Sequence, residues 1–311
     1  MFNSPIPVID GETGEEVFLG VVPPWCLVID ATRRKQLAGG TFGFPCALIV
    51  KRFAKGERHD KATLNAVLGH PVVPVRTSSR EALDPTTAVA IAVGVLAVRN
   101  AVGEPLVLPV LYVPVNLATA ALLAIVSCSA GLSAGELGLS RAAAPRGVVV
   151  GVAVAAIVVA GIAVGAAMPL TRPWFEDQRI ADVDTAVELA YQALIRIPLG
   201  TAVLEEFAFR GVLLGLLART GPTKTAVGVS SLLFGLWHIR PTLGALATND
   251  LAESAWAQVG AVTAAVALTT VGGLLFCALR LASRSLVAPL IVHAATNSAA
   301  IAAAYVVLHG A

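Results

Sequence analysis

Glu205, Glu206 and Arg210 stand in the run Leu204-Glu205-Glu206-Phe207-Ala208-Phe209-Arg210-Gly211-Val212-Leu213-Leu214, which is otherwise apolar. Each such charge costs roughly 2.5–3.5 kcal/mol in a membrane helix on insertion scales. Three together need partners or a chemical task. Glu206 and Arg210 have i, i+4 spacing, which puts them on one helical face with the acid on the N-terminal side, the better order for an ion pair. Glu205, turned about 100° from Glu206, has to be answered by another part of the chain. Two later apolar segments supply imidazoles: Phe234-Gly235-Leu236-Trp237-His238 and His293-Ala294-Ala295-Thr296-Asn297.

These residue types divide into roles. Glu206 is committed to Arg210 and orients, which leaves Glu205 as the general base. His238 ends its apolar segment, where a water-accessible cavity could reach it; Phe234, one turn earlier on the same face, packs. His293 and Asn297 are a second i, i+4 pair, and an N–H from each would hold a developing oxyanion. Ser230 and Ser231 lack the Gly-x-Ser-x-Gly turn of a serine nucleophile. Water activated by Glu205 and His238 and attacking an amide inside the membrane uses every part. The blander reading makes the acids structural ties, His238 a satisfied core histidine and Asn297 interhelical glue.

The elements that must position them are membrane helices. Of the 311 residues, 56% are hydrophobic and 14% charged, against about 25% charged in soluble domains, and the mean hydropathy is +0.79. The expected fold class is all-α: a polytopic transmembrane helix bundle of about 7–8 membrane segments, with a small β-rich N-terminal extension. A net charge of +2 without a basic stripe argues against nucleic acid. Cys26, Cys46, Cys128 and Cys277 are too scattered for a disulfide framework or a zinc ribbon. Met1-Phe2-Asn3-Ser4-Pro5 lacks the basic start of a secretory signal, so insertion is expected to rely on internal spans.

Residues 1–84 are polar and turn-rich, with Val17–Val22 and Cys46–Val50 as strands; His59 and His70 read as surface or structural. Residues 85–311 form the membrane domain. Thr87–Val98 is apolar but short, with Arg99 at its end. Leu106–Val126 and Val148–Met168 are full spans, separated by a polar loop from Ser129 to Gly147. After a polar loop at Thr171–Asp184 comes Ala186–Leu217, too long for one straight crossing and interrupted by Pro198 and Gly200, where a kink or break is expected. Thr225–Trp237 leads to His238 and is closed by Arg240-Pro241, with a loop over Thr242–Ser254. Trp256–Cys277 and Leu286–Leu308 complete the spans, and His309 is read as a tail residue. Basic residues (Arg141, Arg146, Arg219, Lys224, Arg280, Arg284) alternate with acidic loops. The positive-inside tendency then places the N-terminal extension in the cytoplasm, a compartment that keeps thiols reduced.

Glu205-Glu206-x-x-x-Arg210, Phe234-x-x-x-His238 and His293-x-x-x-Asn297, in that order, resemble the three motifs of the CPBP (Abi) family, which includes type II CAAX prenyl endopeptidases and bacteriocin-processing or self-immunity proteins. The resemblance covers about Ser133–Leu308. It implies a helical bundle around a polar cavity and a glutamate-type intramembrane protease of a bacterial-type cell membrane. In that mechanism Glu205 and His238 activate water, His293 and Asn297 form the oxyanion site, and Glu206 and Arg210 support them. The N-terminal extension departs from the family's usual shape.

No cofactor is expected. A zinc site of Glu205, His238 and His293 is the metal variant, but His-Glu-x-x-His is absent and the family is metal-independent. The expected partners are the lipid bilayer and a membrane-associated peptide or protein substrate. Competing readings are a non-catalytic membrane scaffold or bacteriocin-immunity protein using the same core, and a proton-coupled transporter. The latter lacks the paired interrupted helices expected in two halves.

Overall fold

The computed structural model describes residues 6–53, 82–102, 108–181, 183–249 and 254–310. His59 and His70 lie outside the described residues. The chain divides into two compact units, Met1–Arg80 and Glu81–Ala311.

The first unit is a four-stranded sheet of β1 (Pro7–Asp10), β2 (Glu16–Leu19), β3 (Cys26–Leu37) and β4 (Gly40–Arg52), in the order β2-β1-β4-β3. β1 runs parallel to β4, pairing Val8 with Ala47 and Asp10 with Ile49; the other pairings are antiparallel. Val8, Ile9, Cys46 and Ile49 are buried at the point where three strands meet. The strand expected over Val17–Val22 stops at Leu19, because Gly20 takes a positive φ of 74°, a conformation that ends extended backbone.

The second unit is helical. In chain order it contains α1 (Pro85–Val102), α2 (Tyr112–Ser129), the short α3 (Ala134–Leu137), α4 (Ala144–Ala167), α5 (residues 186–220), α6 (Thr223–Trp237), α7 (Ile239–Asn249), α8 (Ala255–Ser283) and α9 (Val287–His309). Among the described residues, five stretches are long and apolar enough to cross a membrane. They are Pro85–Val102, Pro109–Ser129, Ala134–Ala167, Ala255–Ser283 and Val287–His309. This is a helical membrane protein with a small N-terminal sheet, as its composition indicates.

Three local expectations change. The short apolar run Thr87–Val98 belongs to an 18-residue helix, because flanking residues of ordinary helix propensity extend it. Ser129–Gly147 is not a plain loop. Ser133 and Glu136 form a reciprocal capping box at α3, whose C-cap Gly138 takes φ 77°. Of the loop expected over Thr242–Ser254, Thr242–Asn249 belongs to helix α7, with Pro241 inside its first turn, where no N–H partner is needed. His309 is exposed, as expected, at the end of α9, where it stacks on Tyr305.

The helix carrying the acids does not break at Pro198. It winds through two π-helical stretches, Gln192–Ala202 and Phe207–Leu213, around the α-helical turn Val203–Glu206. Proline has no N–H to give the preceding turn, and the Pro198 carbonyl instead accepts from Val203, five residues on. Gly200 lets this winding lie against α2: a Cβ there would sit 2.8 Å from the Tyr112 ring. The Gly200 carbonyl accepts from Asn116 Nδ2 at 2.8 Å, and Asn116 Oδ1 accepts from Arg99 at 2.6 Å. The core around α5 gathers Ala88, Ala92 and Leu96 of α1, Leu123 and Val126 of α2, and Leu204, Phe209, Val212 and Leu216 of α5 itself. α9 packs along α4 through Gly147, Gly151 and Ala155, small residues at i, i+4 spacing that let the backbones approach.

Candidate functional site

The turn Val203–Glu206 is buried and delivers both acids to the interior: Glu205 is 7% exposed, Glu206 and Arg210 fully buried. The i, i+4 pair forms as its spacing requires, with Arg210 Nη1 donating to Glu206 Oε1 at 3.1 Å. The guanidinium lies over the Phe234 ring at 3.8 Å, and farther from Phe276 at 5.0 Å, cation–π contacts that stabilise a charge removed from water. Phe234 therefore does more than fill space: it also meets the rings of His238 (centroids 4.6 Å), Phe209 (5.2 Å) and His293 (6.1 Å) edge-on.

His293 of α9 answers both acids. Its Nδ1 lies 2.7 Å from Glu206 Oε1 and its Nε2 lies 3.7 Å from Glu205 Oε2. The ring is stacked on Phe276 of α8, with centroids 5.3 Å apart. Glu205 is held from another side, where Trp237 Nε1 donates to its Oε1 at 3.0 Å. Glu205 Oε2 is buried and makes no hydrogen bond.

The other two expected residues flank this cluster. His238 is the C-cap of α6; its Nδ1 faces the Phe234 carbonyl at 2.8 Å, which requires the proton on Nδ1 and leaves Nε2 with a lone pair. Asn297, one turn beyond His293 on α9, is partly exposed, and its side chain makes no hydrogen bond among the described residues. Glu205, Glu206, Arg210 and His293 are thus in direct contact, His238 joins through the Phe234 ring, and Asn297 lies beyond. Among the described residues no group of three His, Cys, Asp or Glu side chains is placed to hold a metal ion.

Sequence reasoning missed Trp237, because an indole in an apolar run reads as packing and its N–H partner lies on another helix. It also missed two polar ties that fix these helices. Asn100 of α1 donates to the Trp237 carbonyl at 2.9 Å, and Ser230 donates to the Phe209 carbonyl at 2.7 Å. An apolar cleft of about 190 Å³ opens beside Trp237, lined also by Val93, Leu96, Ala97, Leu233 and Leu236.

Glu205 and Glu206 of α5, Trp237 of α6 and His293 of α9 thus meet in the interior. Residues 188–299 match the family described as Type II CAAX prenyl endopeptidase Rce1-like. The match spans about a third of the chain and contains all three motifs. It supports a protease of the CAAX endopeptidase type in a lipid bilayer. No curated protein and no solved structure matches the chain.

Proposed function

We propose that the chain is a glutamate-type intramembrane endopeptidase that hydrolyses a peptide bond of a membrane-associated peptide or protein. The observation that carries this reading is the asymmetry of the two acids. Glu206 is neutralised by Arg210, whereas Glu205 makes no ion pair with Arg210 and is held by the Trp237 N–H; Oε2 of each acid is buried without a hydrogen bond. In this reading Glu205 Oε2 takes a proton from water, assisted by the His238 Nε2 lone pair. The water oxygen adds to the scissile carbonyl carbon, and the oxyanion is met by Asn297 Nδ2–H. The proton then passes to the amide nitrogen as the C–N bond breaks, giving an acid and an amine.

His293 gives its Nδ1–H to Glu206 and can donate to the oxyanion from Nε2 only as imidazolium. The cleft gives an apolar substrate side chain or alkyl group a place beside Trp237, the indole that holds the base. The membrane domain is assigned to residues 85–311 and the N-terminal extension, residues 1–84, to the cytoplasmic side.

The test is Glu205→Gln, which keeps shape and removes the base. Protein and peptide termini are compared in cells carrying either form. Specific cleavages should fall on the order of 10²–10⁴-fold with unchanged thermal unfolding of the purified protein. Unaltered cleavage overturns the proposal, and an unaltered cellular phenotype with no cleavage in either form favours a scaffold or immunity protein. No step uses a metal, so activity is expected to survive chelators; its loss and recovery with zinc would overturn the metal-free mechanism.

A further inference from the structure

The β3–β4 hairpin extends past the sheet that supports it. Among the described residues β1 pairs with β4 only at Ala47–Ile49, and residues 32–45 pair only with one another. This two-stranded arm is roughly 20 Å long at about 3.3 Å per residue, and exposed along its length. A bare ribbon of two strands is marginal in water, and this one is not built to be soluble. Arg33 stands opposite Phe44 and Lys35 opposite Phe42, with Leu37 at the end of β3. Period-two alternation puts those five side chains on one face. Leu37, Phe42 and Phe44 are 44%, 48% and 41% exposed.

Residues 32–45 contain Arg33, Arg34 and Lys35 and no acid. Arg33 shares an exposed contact with Glu16 at 3.2 Å, the kind of surface pair that contributes little; Arg34 and Lys35 make no ion pair among the described residues. Aromatic rings and cations on the same exposed face suit the boundary between lipid headgroups and acyl chains, where rings enter and long basic side chains reach phosphate. The same chain carries the membrane-crossing helices, so a bilayer surface is always tethered nearby and even a weak contact is populated.

We propose that the β3–β4 arm is a membrane-docking element that lays its Arg33, Lys35, Phe42 and Phe44 face on the anionic surface of the bilayer holding the rest of the chain. Amide hydrogen exchange of the full-length protein in nanodiscs tests it, with neutral phosphatidylcholine compared with a mixture containing phosphatidylglycerol. Residues 32–45 should exchange on the order of tenfold more slowly in the anionic discs, and about 0.5 M salt should remove much of the difference. Arg33→Glu with Lys35→Glu, and separately Phe42→Ser with Phe44→Ser, should abolish it while β1 and residues 46–52 keep wild-type exchange. Equal exchange in the two discs, or protection that survives both double variants, overturns the proposal. So does protection in neutral discs that appears only on adding an RNA oligonucleotide or an acidic peptide, which would assign the arm to that partner.

Discussion

At the residue scale, the site is a hierarchy of commitments. Glu206 Oε1 accepts from both Arg210 and His293 Nδ1, whereas Glu205 is held through the Trp237 indole. Trp237→Phe keeps the ring and removes the N–H. It is expected to lower kcat and kcat/KM together by roughly tenfold, with KM and thermal unfolding little changed; steady-state kinetics decide it. Glu206→Ala strands a fully buried guanidinium and should destabilise the protein by about 3–5 kcal/mol, read as earlier thermal unfolding in detergent. The Glu206–Arg210 pair was legible because spacing alone dictates it. The double contact of His293 was not, since nothing in His293-x-x-x-Asn297 says which acid each nitrogen will meet.

At the element scale, the charged helix is shaped by what its neighbours accept. Its π-helical winding follows from Pro198 and from Gly200 lying against Tyr112, with Asn116 satisfying the Gly200 carbonyl. The proline was visible in the sequence, and a kink or break was the natural expectation. Continuity came from a tertiary partner, Asn116, that no local pattern announces. Gly235 has a comparable role one turn before His238: a Cβ there would run into the Thr270 hydroxyl and come 2.7 Å from the Val266 carbonyl oxygen. Gly235→Val is expected to push α6 off α8, costing about 1–3 kcal/mol and moving Trp237 away from Glu205. Cleavage should then fall further than for Trp237→Phe, and the two are compared in the same assay. Helix α7 was unreadable for a different reason, since a proline was taken as an end where it sits in a first turn.

At the scale of the molecule, composition separates the N-terminal sheet from the helical part, and their electrostatics differ in kind. In the sheet Asp10 accepts from Arg52 at 2.8 Å. The hydrogen bond from Arg52 holds its carboxyl below the ordinary aspartate value. A depressed folded value stabilises above the unfolded value of about 3.9, and that contribution disappears as pH falls through the lower folded value. Exchange protection of β1 and β4 in the full-length chain should therefore decline as pH drops below about 4, and Arg52→Gln should flatten the profile. A steep decline retained in that variant would show that another group governs it.

The glycine seam between α4 and α9 has a consequence for anyone shortening this chain. A Cβ at Gly151 would lie 3.0 Å from the Ala288 carbonyl oxygen, so α4 is pressed directly on the backbone that carries His293. α4 lies upstream of the stretch matched to the CAAX endopeptidases. A minigene cut to residues 188–299 would keep every motif and discard the buttress behind one of them, leaving an imidazole with no fixed seat.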